Sequence, residues 1–187
     1  MKRWVLAIVI VWLCFPAPGE AQSGCMAVYP ETDKVCWLWE PQGGGIMSLR
    51  VIFDLSGFSI TDAAFRVVTG GGFTGVYMGE TVFGDLWLGN TQDGLEVVLY
   101  QCHNSPLLLA TVYYSTDGMS PSCAWLEVVG HPLYDNAIVV ADCGSGMHEI
   151  HSCCRLTVIR SWDDRRTCGL VPVEESTWGR VKALYRQ

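Results

Sequence analysis

Positive charge is scarce in this 187-residue chain: 12 Lys and Arg face 19 Asp and Glu, for a formal net charge of −7. A nucleic-acid binder needs a basic face to neutralise phosphates, so that class is excluded. Charge of either sign is low, at 17%, while half of the residues are hydrophobic, which excludes a disordered chain. Long apolar runs are missing as well. The run Trp4–Phe15 is twelve residues, whereas about 20 are needed to cross hydrocarbon. No later segment is longer than that run, so no membrane span is expected in the mature chain. Helical periodicity is almost absent before the last residues, and there is no internal repeat or low-complexity tract.

Chemical motifs are thin too. There is no C-x-x-C, and His148-Glu149-Ile150-His151 lacks the H-E-x-x-H spacing. In an extended strand His148 and His151 face opposite ways, so no zinc site is expected. Gly70-Gly71-Gly72-Phe73-Thr74-Gly75 matches G-x-G-x-x-G formally. The strand-like Val76-Tyr77-Met78 follows it, where dinucleotide binding needs a helix N-terminus. Asp142-Cys143-Gly144-Ser145-Gly146 lacks the G-x-S-x-G of a nucleophile elbow. Asp54, Asp62, Asp85, Asp93 and Asp117 lie in or beside turns without a D-x-D-x-D-G loop. They read as turn residues bonding their own backbone. No catalytic residue, cofactor or metal is assigned.

What is present first is an export signal. Lys2 and Arg3 precede the apolar run, Pro16 and Pro18 break it, and Gly19-Glu20-Ala21 offers a cleavage site near Ala21. Residues 1–21 are therefore expected to be removed, and the product to be secreted or periplasmic. Eight cysteines remain beyond Cys14: Cys25, Cys36, Cys102, Cys123, Cys143, Cys153, Cys154 and Cys168. An even number in an exported chain reads as up to four disulfides. Cys123 and Cys143 lie symmetrically about Leu133, so a hairpin folded at 130–136 would bond them. Cys25 could pair with Cys36 across a short hairpin, with Cys36–Cys102 as the competing choice. Adjacent Cys153 and Cys154 should have different partners.

The rest of the mature chain reads as strands punctuated by turns. Leu49, Val51 and Phe53 alternate with Arg50, Ile52 and Asp54; Phe65 and Val67, and Leu95, Val97 and Leu99, alternate likewise. Leu107–Tyr114 is apolar on both faces, as a central strand between layers would be. Turn clusters at 41–45, 70–72, 90–94, 104–106 and 116–118 separate these runs. Eight or nine short strands at this spacing imply an all-β antiparallel sandwich or barrel over residues 22–168. Trp37 and Trp39 share one strand face and could form a platform for sugar rings, or bury in the core. Trp87 and Trp125, inside apolar runs, read as core.

After Cys168 the composition changes. Residues 169–187 begin as an acidic spacer with Pro172, Glu174 and Glu175 and become a short amphipathic helix. Its stripe is Trp178, Val181, Leu184 and Tyr185, capped by Ser176 or Thr177 and followed by cations. This stripe is read as a docking element. The ending P-V-E-E-S-T-W-G-R-V-K-A-L-Y-R resembles that of a group of uncharacterised exported bacterial proteins, which end in W-G-x-[IV]-K-x-L-[YF]-R. Their upstream order is similar, with a Cys near the mature start, a Cys before a Leu-rich strand like Leu107–Val112, and a Cys pair bracketing a hairpin. Against that pattern Cys25, Cys153 and Cys154 are additions. The strand layout around Asn90–Val112 also resembles a cohesin-type jelly roll. These resemblances imply a disulfide-stapled sandwich and no catalytic residue. The expectation is an exported, non-catalytic binding or structural module, partnered by a protein or glycan of the cell envelope. Two rivals stand beside it: a carbohydrate-binding module using Trp37 and Trp39, and a small secreted hydrolase using His148 or His151.

Overall fold

The computed structural model describes residues 24–30, 34–55 and 57–169. The expected export signal over 1–21 lies outside the described residues. So do the tail's docking stripe, Trp178, Val181, Leu184 and Tyr185, and the ending that carries the family resemblance.

The described residues form twelve strands: β1 (Cys25–Pro30), β2 (Trp37–Trp39), β3 (Gly45–Asp54), β4 (Ser59–Gly70), β5 (Val76–Val82), β6 (Leu86–Asn90), β7 (Gly94–Asn104), β8 (Leu107–Thr116), β9 (Trp125–Val129), β10 (Ile138–Asp142), β11 (Met147–Ser152) and β12 (Leu156–Ile159). One four-residue helix, α1 (Asp164–Thr167), follows. The strands beyond the expected eight or nine are mainly short or edge pieces, whose few residues give a weak periodic signal. One layer of the sandwich runs β11-β1-β3-β8-β5, and the other runs β6-β7-β4-β9-β12-β2, with β10 joining β4 to β11.

Period-two patterning sets which side of each strand turns inward. Leu49, Val51 and Phe53 of β3, Phe65 and Val67 of β4, and Leu95, Val97 and Leu99 of β7 are all buried. They meet Leu109, Val112 and Tyr114 of β8, Leu126 of β9 and Leu156 of β12 in one core. β8 is the central strand that its two apolar faces imply, flanked by β3 and β5.

The 130–136 turn does not make a hairpin. β9 pairs antiparallel with Arg66–Gly70 of β4, and β10 pairs antiparallel with Ile60–Ala64 of the same strand. The two strands therefore run in the same direction, one after the other along β4. Between them lies a small excursion with a 3₁₀ turn at Pro132–Tyr134, closed by the His131–Ala137 bridge. Asp135 and Asn136 take left-handed φ there, a conformation that Asp and Asn tolerate better than most residues.

This arrangement corrects the expected Cys123–Cys143 bond, because the two cysteines lie at opposite ends of a continuing path. Cys143 bonds Cys102 instead, both flanking the start of β4, and Cys123 bonds Cys168 after α1. Cys25 and Cys36 do not pair either, nor does Cys36 with Cys102. β1 joins one layer and β2 the edge of the other. Cys153 and Cys154 sit where the chain crosses between those layers, after β11 and before β12. Cys153 bonds Cys25 beside β11, and Cys154 bonds Cys36 beside β12.

Candidate binding surfaces

Strand register builds one exposed sheet face from residues far apart in sequence. Across β6, β7, β4, β10 and β11 the outward row is Leu86, Val98, Asp62, Ala141, Met147. The next is Leu88, Glu96, Ala64, Val139, Glu149. Leu86, Leu88 and Met147 are exposed, with Leu88 at 59%. Tyr134 lies on this face and donates its hydroxyl to Glu96 Oε1 at 2.9 Å. That bond, with partial burial, raises the phenol above its ordinary pKa. The surface is thus apolar with interspersed carboxylates, and neither row contains a cation. Leu86, Leu88, Met147 and Glu149 are the exposed members of the two rows, and Ala64 is buried among them.

The inward row beneath it is Trp87, Val97, Ala63, Val140, His148. Val97, Ala63 and Val140 are core, but Trp87 is on the edge strand and remains 51% exposed. Its expected place in the core is corrected for that reason: it points the right way, but among the described residues nothing covers its outer half. His148 closes the other end of the row. Its Nε2 lies 2.7 Å from Asp142 Oδ2. Asp142 also accepts the amides of Gly144 at 2.7 Å and Gly146 at 2.8 Å. The His148 bond first, then those amides, holds the Asp142 carboxyl below its usual range. The pair ties the β10–β11 turn together. His151 is exposed on the strand beside Cys25.

A second surface forms on β9, β12 and β2. Trp125, Thr157 and Trp37 align across these strands. Trp125 does not enter the core as expected, because its register turns it outward. The Arg155 guanidinium lies 4.1 Å from its ring centroid and pairs with Glu127 at 2.9 Å. Leu38 is buried while Trp37 is half-buried and Trp39 exposed. Trp162, from the loop before α1, stands edge-on to both, at 5.8 Å and 64° from Trp37 and at 5.7 Å and 73° from Trp39. The strand pair is therefore part of a three-ring corner rather than a flat strip. Arg165 stacks 4.7 Å from Trp37 and 5.1 Å from Trp162.

Asp164 fixes this corner. Its carboxylate accepts the Ser122 hydroxyl at 2.6 Å and the amides of Arg160 and Ser161 at 2.8 Å. Those bonds, the Ser122 hydroxyl foremost, lower its pKa to about 2. Of the other turn aspartates, Asp117 accepts the neighbouring Met119 amide as expected, but also the distant Thr74 hydroxyl. Asp85 accepts the Tyr100 amide fifteen residues away and Asp54 pairs with Lys34 at 2.6 Å, so these two tie separate segments together. Among the described residues no cluster of three or more His, Cys, Asp or Glu side chains is arranged to hold a metal.

Sequence reading missed the five-strand face and both Trp162 and Arg165. Leu86-Trp87-Leu88 did carry a signal, since three large apolar residues in a row on a short strand leave at least one face unsatisfied.

No protein-family model and no curated protein sequence matches this chain. Solved structures do. A cohesin module from a family 33 glycoside hydrolase of Clostridium perfringens aligns with a TM-score of 0.52 at 13% identity, covering 75% of this chain and 99% of that one. The sixth cohesin of scaffoldin B from Acetivibrio cellulolyticus, solved in complex with a mutant Cel5 dockerin, aligns with a TM-score of 0.51 at 11% identity, covering 74% and 99%. At such identity the likeness is one of fold: the described sandwich has the architecture of cohesin modules.

Proposed function

We propose that the protein is a non-catalytic protein-binding module that engages its partner through the outer face of β6-β7-β4-β10-β11. The observation that carries this is the pair of outward rows, in which leucine, valine, alanine and methionine alternate with Asp62, Glu96 and Glu149. Such a face suits a partner surface, helical or otherwise, that presents apolar side chains with cations between them. One fold neighbour was solved holding a dockerin, which supports a protein as the partner class. Four disulfides suit an oxidising compartment, consistent with export to the envelope or beyond. No helix among the described residues is long and apolar enough to cross a membrane. The hydrolase reading finds less support, since among the described residues no serine, threonine or cysteine side chain is hydrogen-bonded to the side chains of the His148–Asp142 pair.

The test compares faces. Immobilised full-length protein captures partners from the producing cell's envelope fraction, and hydrogen exchange locates the protected strands. Capture by wild type and by Ser48→Asp, but not by Leu88→Asp with Val139→Asp, supports the reading, with protection on β6, β7, β4 and β10. Protection confined to β3 and β8 would overturn it.

A further inference from the structure

At the sandwich edge opposite β6, a cleft of about 470 Å³ opens beside Trp39, lined also by Gln42, Met119 and Arg160 over Glu40. Its size falls within the roughly 300–1,000 Å³ range of small-ligand sites. We propose that this cleft binds a neutral oligosaccharide, one pyranose ring lying against Trp39 beside Trp162 and its hydroxyls bonded by Gln42 and Arg160. The inference goes beyond the protein-binding face and uses none of its residues.

Three properties of the cleft point to that ligand class. Trp39 is 43% exposed and Trp162 is 62% exposed. Trp39 gives the cleft one aromatic wall, held edge-on by Trp162 from outside the lining, and a pyranose has one C–H face and a rim of hydroxyls that match an aromatic wall meeting polar groups. The polar groups are mixed. The Gln42 amide both donates and accepts, while Arg160 anchors one nitrogen on the Gly118 carbonyl at 2.7 Å and has further N–H donors. Charge is balanced, since the Arg160 cation acts on Asp117 and the Glu40 carboxylate sits in the floor. The cleft has no surplus positive charge with which to select an anion.

The walls are also fixed before any ligand arrives. Glu40 is only 9% exposed. It accepts the Thr116 hydroxyl, the Ser120 amide at 2.9 Å and the Ser120 hydroxyl at 2.8 Å. Gly44 and Gly118 have positive φ, and a Cβ on either would meet a backbone oxygen at 2.5 or 2.6 Å, so the 41–44 and 116–120 turns interlock without side chains between them. Cys36–Cys154 and Cys123–Cys168 tether the strands and helix on the aromatic side. A site held in this way loses little conformational entropy when it is occupied.

The experiment titrates the full-length exported protein with hexasaccharides of β-1,4-linked glucose, xylose and mannose, and with hexagalacturonate as the anionic control. Trp fluorescence and calorimetry report binding. At least one neutral hexasaccharide should bind with a Kd of about 1 mM or tighter, and Trp39→Ala should weaken it about tenfold, with Trp162→Ala, which removes only the ring that holds Trp39, weakening it less. Gln42→Ala, on an exposed turn, should weaken it about threefold with an unchanged circular dichroism spectrum. Leu88→Asp with Val139→Asp should leave it unchanged, which separates this site from the protein-binding face. The proposal fails if no neutral hexasaccharide binds, if hexagalacturonate binds more tightly, or if binding survives Trp39→Ala and Gln42→Ala.

Discussion

Two sheet faces turn away from the same core, and they differ in what they leave unsatisfied. On the β3-β8-β5 face the outward rows are Arg50, Thr111, Thr81 and Ser48, Tyr113, Gly79, and at the end of the strands Ile46, Ser115, Val76, with Ile46 and Val76 exposed. Four of the six residues in the first two rows, Thr111, Thr81, Ser48 and Tyr113, carry hydroxyls that water or each other can satisfy, as Thr81 and Tyr113 do at 3.3 Å; the apolar places are at the strand ends. On the β6-β7-β4-β10-β11 face the corresponding places hold leucine, valine, alanine and methionine with carboxylates between them. The two faces differ in their strands as well: β3 from Met47 onward and all of β8 hold only buried and partly covered residues, whereas Leu86, Trp87 and Leu88 of edge strand β6 are all exposed. What sets the second face apart is the pattern of carboxylates Asp62, Glu96 and Glu149 between its apolar residues, the pattern on which the proposed partner site rests.

The comparison breaks most severely if the strand that carries the apolar face is not anchored as described. Phe65 points inward from β4, next to outward-facing Ala64. Phe65→Ala should cost about 3–5 kcal/mol in denaturant unfolding; a loss below about 1 kcal/mol would show that the register is wrong. Next comes the face itself. Leu88→Asp with Val139→Asp should weaken partner binding about a hundredfold while leaving the melting temperature within a few degrees. Ser48→Asp with Thr81→Asp on the other face should leave binding unchanged. Equal losses from both pairs would remove the contrast.

Smaller effects sharpen it. Tyr134→Phe deletes the hydroxyl that holds Glu96 and should cost about 0.5–1.5 kcal/mol in stability. An unchanged unfolding midpoint would mean that solvent replaces that bond fully. Smallest is the acid response of the cation-bearing edge. The folded pKa of Asp164 is lowered from 3.8 to about 2. Its stabilising contribution is therefore complete above pH 3.8 and fades as pH falls from there towards 2. Asp164→Asn should flatten the acid limb of the stability profile over that window, and a profile identical to wild type would count against the bonds to Ser122 and Arg160.

Much of the fold is legible in local pattern. Leu49, Val51 and Phe53, or Leu95, Val97 and Leu99, declare a buried side because a strand exposes alternate residues to alternate environments. What is not legible is which strand lies beside which. The run at 123–129, the turn at 130–136 and the run at 137–143 have every local mark of a hairpin. Only β4, sixty residues earlier, makes them successive stretches of one edge. The cysteine pairing failed with it, since bonding depends on distance in space rather than symmetry in sequence. The candidate face is hidden for the same reason, its two rows being assembled from five strands. Trp37 and Trp39 could be assigned to one side of a strand, but Trp162 arrives from a polar loop with no periodicity to announce it.

The adjacent bonds at Cys153 and Cys154 determine how the molecule would carry tension. A pull on the two ends reaches Cys25, crosses directly to Cys153 and leaves along the last strand, so most of the sandwich lies off the loaded path. The bypassed stretch has a sequence separation of 128 residues, which corresponds to roughly 400 Å of extensible chain. With its disulfides intact that stretch would stay closed under load, and only the chain outside it, such as that after Cys153, could lengthen. Stretching single molecules before and after reduction would reveal that hidden length, and its absence would show that the load takes another route.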